Sequence, residues 1–371
     1  MLKQGPVWAL GAAAGRTLGG VRAALVKTDG VRIEELGETS HRPYCAGELA
    51  MLASVLGRWP GDVDADDLEV AQEVVEAAHV ALLSKVKEAD LIGFPGLTLA
   101  HEPQGRGAHQ LGDGQILAEV LGRPVAWDYA MADMRLGGEG APLAAFYHFA
   151  LAKYLEAQAP LAFVNLGAVA SVTWVNPGKS RPEEEGALLA FDAGPGMAQL
   201  DDLIVARLGE ACDLDGALSA KGTADQAGVA AFLEQGYFYR VPPKSLDRNT
   251  FAGLVEAATP LADADAAATI CAVIVAAIAQ GLGHCPTPPE RVLVAGGGRR
   301  NAALMAGLIE ALDCPVLPVE ELELDGDALD AQAAAYLAVR VARGLPTSCP
   351  TSTGVAAAVG GGVVSTPDAA G

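Results

Sequence analysis

The sequence has 371 residues, which is long enough for two domains that each bury a core. Hydrophobic residues make up 51% of it and charged residues 19%, a composition typical of a well-packed globular protein and not of a disordered one. The net charge of -21 would repel polyanions, which argues against nucleic acids and anionic membranes as partners. An anionic ligand could bind only where local basic groups or backbone amides outweigh this field.

Three features favour a cytoplasmic protein. The first residues lack the long apolar stretch of a signal peptide. The most apolar segment, residues 266–282, is short, rich in alanine and interrupted by Gln280, which favours a buried helix over a membrane span. The cysteines are scattered without a C-x-x-C pair, so we expect reduced thiols.

The first half of the chain predicts three strands followed by alternating helices and strands. The strands are predicted at residues 7–12, 21–27 and 31–36, and a helix at about residues 66–87. Then follow the strand LIGFP (91–95), a helix at 115–121, the strand PVAW (124–127) and a helix from about Leu143.

The second half repeats this order. A hairpin is predicted in residues 161–175, then the strand 187–196, helices at 199–207 and 264–281, the strand 291–298, a helix from Asn301, the strand 315–318 and a helix at 328–343. Two βββαβαβα halves predict an α/β protein whose two similar lobes contain mixed sheets flanked by helices, with a ligand cleft between them. The predicted domains are residues 1–157 and 158–371, and the tail after Pro346 is predicted to be irregular surface structure.

The segment FDAGPG (191–196) is the strongest candidate for chemistry. A strand ends at Asp192, and the following Gly-Pro-Gly turn opens a helix whose first amides favour an anion. An aspartate at such a strand end can serve as a general base if it faces a cleft. The same residue can equally be a turn or helix-capping aspartate, and the sequence leaves both interpretations open.

Three other segments suggest phosphate contacts, each with a simpler alternative. The turn GAAAGRTLGGVR (11–22) could bring its backbone close to a phosphate or be only a turn. The strand–triple glycine–helix pattern at 294–301 suits a nucleotide but lacks the spacing of a dinucleotide fingerprint. The cations of PPKSLDR (242–248) could contact phosphate or be solvated. By contrast, His101, Glu102, His109 and Asp113 lack metal-site spacing, which favours structural hydrogen bonds.

Taken in order, five segments resemble one family. They are LGGEGAPL (136–143), FDAGPG (191–196), PPKSLDR (242–248), AGGGRRNAALM (295–305) and STGV (352–355). This series is similar to the anhydro-N-acetylmuramic acid kinases of the actin/hexokinase-like ATPase superfamily, over nearly the whole chain. The resemblance implies two actin-like, ribonuclease H-like lobes. It also implies an enzyme of murein recycling that uses ATP and Mg²⁺ to open the 1,6-anhydro ring of a cell-wall amino sugar, adding water at the anomeric carbon and phosphate at O6.

The same resemblance assigns residues to roles. It implies Asp192 as the base that activates water, and Asp128, Asp133 and Gly138 as sugar-binding residues. The implied nucleotide-binding residues are Gly15, Thr17, Gly20, Gly167, Gly194, Gly196, Lys244, Gly296, Gly297, Gly298 and Asn301. No residue is assigned as a metal ligand. The expected partners are the amino sugar and the nucleotide, and a homodimer is considered as the oligomeric state.

The chain departs from the family pattern at polar positions. Where the family's hairpin reads Met-Ser-Gly-Thr-Ser-x-Asp-Gly-x-Asp, residues 13–22 read AAGRTLGGVR, without the two acids. The other departures from the family's polar or glycine residues are Pro95, Leu97, Ala130, Ala168, Ser171 and Met197. Because phosphoryl transfer depends on positioned charges, two interpretations stay open: an active sugar kinase, and an inactive protein that binds sugar or nucleotide.

Overall fold

Two β-sheets with the same internal topology form the frame of the protein. The computed structural model describes residues 2–368. The strands are β1 (Val7–Ala14), β2 (Val21–Thr28), β3 (Ile33–Arg42), β4 (Leu91–Phe94), β5 (Leu97–Glu102), β6 (Gly107–Leu111), β7 (Val125–Trp127), β8 (Leu161–Leu166), β9 (Val169–Val175), β10 (Leu188–Pro195), β11 (Val292–Ala295), β12 (Val316–Pro318) and β13 (Val363–Ser365). The α-helices are α1 (Ala46–Val55), α2 (Ala65–Leu83), α3 (Gly114–Leu121), α4 (Met131–Arg135), α5 (Ala145–Tyr154), α6 (Met197–Leu208), α7 (Gln226–Leu233), α8 (Gly253–Ala257), α9 (Asp263–Leu282), α10 (Ala302–Ala311), α11 (Leu329–Ala342) and α12 (Pro350–Thr353).

The strand orders of the two large sheets correspond. The first sheet runs β3-β2-β1-β4-β7 with β13 added at its edge, and the second runs β10-β9-β8-β11-β12. In each, the first three strands of the chain pair antiparallel and the last two add in parallel. This repeated mixed topology confirms the predicted α/β fold of two actin-like halves.

Helices cover the faces of these sheets because the strands are apolar on both sides. Helix α11 crosses the first sheet so closely that a Cβ on Gly11 would lie 1.8 Å from the carbonyl oxygen of Ala331, so only glycine fits at that point of β1. Helix α9 packs against β10 and α10 in the second half. It is long and apolar enough to cross a membrane, with a mean hydropathy of 1.8, but 67% of that window is buried inside the protein. The prediction of a buried core helix is confirmed.

Most predicted elements lie within a few residues of their observed positions, and the six cysteines are free thiols as expected. The prediction for the tail after Pro346 is wrong. This segment forms α12 and β13, and β13 pairs antiparallel with β7. Its polar residues Ser348 and Thr353 are buried because their hydroxyls donate to the buried carboxylate of Asp133.

The predicted division between residues 157 and 158 falls between α5 and β8. Part of the predicted second domain, residues 158–371, nevertheless packs on the first sheet. Helix α11 lies on β1, β2 and β4, and β13 extends the first sheet. The chain therefore returns to the first half at its end, and a boundary drawn by chain order alone cannot represent this return. The existence of two separate domains stays a prediction.

Candidate functional site

The turn between β1 and β2 projects from the first half. At its tip, Cβ atoms added to Gly15 or Gly19 would meet almost nothing, so the backbone there borders open space. Gly20 has a φ of 123°, and a Cβ on it would lie 2.3 Å from the carbonyl oxygen of Arg42, so glycine is required. The exposed Thr17 supplies the hydroxyl of this turn. The predicted hairpin is confirmed, and its shape leaves room for a ligand.

The glycines of the second half lie where backbone segments approach one another. The amide of Met197, the first residue of α6, donates to the carbonyl of Gly167 in the β8–β9 turn at 2.8 Å. A Cβ on Gly196 would come within 2.4 Å of that same carbonyl oxygen, and one on Gly296 within 2.3 Å of the Asn165 side chain. The sequence alone did not separate close packing from ligand contact at these glycines. Gly297 differs, because its missing Cβ points into open space.

Three more predicted nucleotide-binding residues are surrounded by protein atoms. A Cβ on Gly194 would meet Ala277 at 2.7 Å, and one on Gly298 would meet the side chain of Leu166 at 2.6 Å. The side chain of Asn301 caps α10 by accepting from the amide of Leu304 at 3.0 Å. These contacts account for the residue types structurally, so their part in nucleotide binding stays a prediction.

Asp192 lies near the end of β10 with 6% of its surface exposed. One carboxylate oxygen accepts from the amide of Leu246 at 2.8 Å, and its own amide donates to the carbonyl of Lys244 at 2.9 Å. Burial raises the pKa of Asp192 to about 7, although the Leu246 amide and the guanidinium of Arg16 favour the charged form. Nearby Glu139 adds to the rise. The result is a carboxyl group poised between its two protonation states at neutral pH.

Arg16 lies in the β1–β2 turn of the first half, and its charge acts on this carboxyl group. Its Nη1 atom is 3.9 Å from Oδ2 of Asp247 and is buried without a hydrogen-bond partner among the described residues. The charge of a guanidinium group that is largely shielded from water interacts strongly with nearby charged groups. The positive charge of Arg16 therefore favours the ionised form of Asp192.

A buried network that sequence reasoning missed also joins the two halves. The carboxylate of Glu139 accepts from the backbone amide of Ser245 at 3.2 Å and from its hydroxyl at 2.7 Å. Nε2 of His101 lies 3.1 Å from the same hydroxyl oxygen. Since Ser245 donates its proton to Glu139, the imidazole is the donor in this contact. The available signal was weak, because Glu139 and Ser245 both lie inside the family-like segments but carried no distinctive spacing.

Asp133 and Gly138, predicted to bind sugar, hold the loop that carries Glu139. The Asp133 carboxylate accepts from the amide of Gly140 at 2.8 Å as well as from the two tail hydroxyls. A Cβ on Gly138 would lie 2.1 Å from Asp133. Asp133 is 1% exposed, so its present contacts position Glu139, and a direct sugar contact stays a prediction.

Lys244 and Asp128 lie in different surroundings. The Lys244 ammonium donates to the carbonyl of Tyr237 at 3.0 Å and lies 4.3 Å from the centre of its ring, and burial lowers its pKa to about 8. A phosphate contact would require the Lys244 ammonium to leave Tyr237.

Asp128 lines a cavity of about 290 Å³ in the first half with Pro95, Trp127 and Arg135, and burial raises its pKa. Its sugar contact stays a prediction.

The histidines and acids that the sequence offered as metal ligands make other contacts in the structure. Among residues 2–368, no group of three or more His, Cys, Asp or Glu side chains is placed to hold a metal ion. His109 is bonded to the carbonyl of Arg58, and Asp113 caps α3. Together with the contact of His101, these bonds agree with the structural roles expected from the sequence.

Two halves of equal mixed topology, with a buried carboxylate near the end of β10 and glycine turns in both halves, define an α/β protein of the actin-like fold class. The family model for anhydro-N-acetylmuramic acid kinase matches residues 8–367. The chain is 55% identical over 369 residues to the curated anhydro-N-acetylmuramic acid kinase of Cereibacter sphaeroides, covering 100% of this chain and 99% of the relative. It is 53% identical over 366 residues to that of Ruegeria sp. (strain TM1040), covering 99% and 96%. The chain therefore belongs to the anhydro-N-acetylmuramic acid kinase family.

Among solved structures, the activator of the 2-hydroxyisocaproyl-CoA dehydratase from Clostridium difficile matches with a TM-score of 0.44 and 12% identity. The match covers 91% of this chain and 96% of that one.

Proposed function

We propose that this protein is an active kinase that opens 1,6-anhydro-N-acetylmuramic acid by hydrolysis and phosphorylates it to N-acetylmuramic acid 6-phosphate with ATP. The observation that carries the proposal is Asp192, a buried carboxyl group held by the amide of Leu246 and influenced by the charges of Arg16 and Glu139 from the first half. Its family relatives, at more than half identity over the full chain, carry the name of this kinase.

In this reaction Asp192 takes a proton from water as the water oxygen bonds to the anomeric carbon. The bond from that carbon to O6 breaks, and O6 keeps its electron pair and accepts the phosphoryl group of ATP, so that ADP leaves. A general base works best when its pKa is near the working pH, which fits a carboxyl group of pKa about 7. The amide of Leu246 holds one oxygen of Asp192, and we assign the other oxygen to the water.

The β1–β2 turn and Gly297 would hold the phosphates of ATP, because both border open space. ATP supplies the transferable phosphoryl group. The turn offers the hydroxyl of Thr17 but no acid for Mg²⁺, and the described residues contain no cluster of metal ligands. The donor set therefore does not fit a metal held by the protein.

The competing function is that of an inactive protein that binds sugar or nucleotide, which the altered turn residues would permit. A phosphorylation assay with ATP, Mg²⁺ and the anhydro sugar separates the two, with an Asp192→Asn variant as the control. We expect sugar 6-phosphate from the wild type and none from the variant. Binding of both ligands without any product from the wild type would favour the inactive protein. The cytoplasmic location and the homodimer belong to the same proposal.

A further inference from the structure

A cluster of three arginines meets one carboxylate beside the glycine loop after β11. Arg299 and Arg300 end the short 3₁₀ helix Gly297–Arg300, and Arg22 comes from β2 in the first half. All three guanidinium groups contact Asp327: Arg299 binds Oδ1 at 2.8 Å, while Arg300 binds Oδ2 and Arg22 lies 3.4 Å from that same oxygen.

Most carboxylate oxygens around this cluster already accept a hydrogen bond. Glu320 accepts from Arg299 at 2.7 Å and from the amide of Gly326 at 3.2 Å. Asp325 accepts from the hydroxyl of Thr39 at 2.9 Å and from the amide of Asp327 at 3.0 Å. An acceptor from outside the cluster would therefore compete with few unused carboxylate oxygens for the guanidinium groups.

The guanidinium donors, in contrast, are in excess. Each guanidinium has five N–H donors. Arg300 donates a single hydrogen bond within the described part of the chain, and Arg22 makes only its longer contact with Asp327. The side chains of Arg300 and Arg22 are 54% and 34% exposed, whereas that of Arg299 is 6% exposed and contacts Glu320, Asp327 and the carbonyl of Gly296. Two partly free cations thus lie at an accessible junction of the two halves.

The position of this junction indicates which anion would bind there. Arg299 also donates to the carbonyl of Gly296 at 2.9 Å, which fixes the cluster directly beside the open backbone of Gly297. Guanidinium groups match phosphate oxygens in geometry and charge, and exposed backbone amides add to such a site. In a protein of net charge -21, local donors of this kind are needed to attract an anionic ligand.

We propose that Arg22 and Arg300 bind the phosphate chain of the nucleotide, exchanging part of their contact with Asp327 for phosphate oxygens. This inference rests on the proposed nucleotide-dependent function and adds two residues to it, one of which stands where the family pattern has an acid. The two guanidinium groups supply positive charge beside the β1–β2 turn, which offers no acids for a metal.

Calorimetric titrations with ATP, inorganic tripolyphosphate and adenosine test this role, each in EDTA and again in Mg²⁺. The variants are Arg22→Gln and Arg300→Gln. The matched control is Arg181→Gln, an exposed arginine that also pairs with carboxylates but lies in the β9–β10 connection. A hydrogen bond to a charged group typically changes affinity by about tenfold or more. We expect each test variant to weaken ATP and tripolyphosphate binding in EDTA by about tenfold, with adenosine binding unchanged.

ATP binding that is unchanged in both test variants would overturn the inference and leave the proposed kinase function intact. Equal weakening of adenosine binding would also overturn it, because the arginines would then act through the fold. No ATP binding by the wild type in EDTA or in Mg²⁺ would overturn both proposals. Thermal unfolding of each variant checks its fold, and if one variant fails to fold, the other decides.

Discussion

Replacing Asp192 with asparagine should stabilise the protein at alkaline pH while removing its activity. In the wild type, burial raises the pKa of this carboxyl group from 3.8 to about 7. The folded protein then holds a proton that the unfolded chain has already lost, so the stability of the wild type falls as the pH rises between these two values. Above pH 7 the folded protein carries the cost of a buried charge.

The magnitude follows from the size of the pKa change. A rise from 3.8 to about 7 corresponds to about 4 kcal/mol of unfolding free energy when the group is fully ionised. Asparagine keeps an oxygen for the Leu246 amide but loses the attraction of Arg16, so about 4 kcal/mol is an upper limit. The difference between variant and wild type should be near zero at pH 4 and grow to a few kcal/mol at pH 8.

Urea unfolding of both proteins at pH 4, 6 and 8 measures this difference. The control is Asp313→Asn, an exposed aspartate, which should show no such growth with pH. A variant that is less stable than the wild type at every pH would refute the reasoning. That result would identify Asp192 as a turn aspartate that stabilises the fold, which is the alternative that the sequence left open.

Two further predictions concern the groups that face Asp192, and they have opposite signs. Arg16→Gln removes a charge that lowers the pKa of Asp192, so the acid limb of the kcat/KM profile should move to higher pH. If this limb moves by about one pH unit, activity at pH 7 should fall roughly fivefold. Glu139→Gln removes a charge that raises this pKa, so the same limb should move to lower pH while Ser245 keeps one acceptor. The pH dependence of the initial rate measures both, and limbs that stay fixed or move together would mean that these residues act only through the fold.

The sequence by itself determined the order of elements and the residue types that the fold requires. Apolar runs separated by turn residues located both three-stranded units, because strand and helix periodicities are local properties of the chain. Gly20 also has a local cause, because its φ of 123° in the β1–β2 turn favours glycine, whereas Gly11 is required only by the close approach of Ala331 in α11. Asp192 could be proposed as a base because the strand end and the Gly-Pro-Gly turn stand side by side in the sequence.

Tertiary structure alone decided which residues meet. The return of α11 and β13 to the first sheet depends on pairing between residues more than 200 positions apart, and no local pattern encodes it. The cross-contacts of Arg16 with Asp247 and of Glu139 with Ser245 arise only when the two halves close. Burial of Asp192 moves its pKa towards neutrality, because desolvation depends on everything that surrounds the group and not on its neighbours in the chain.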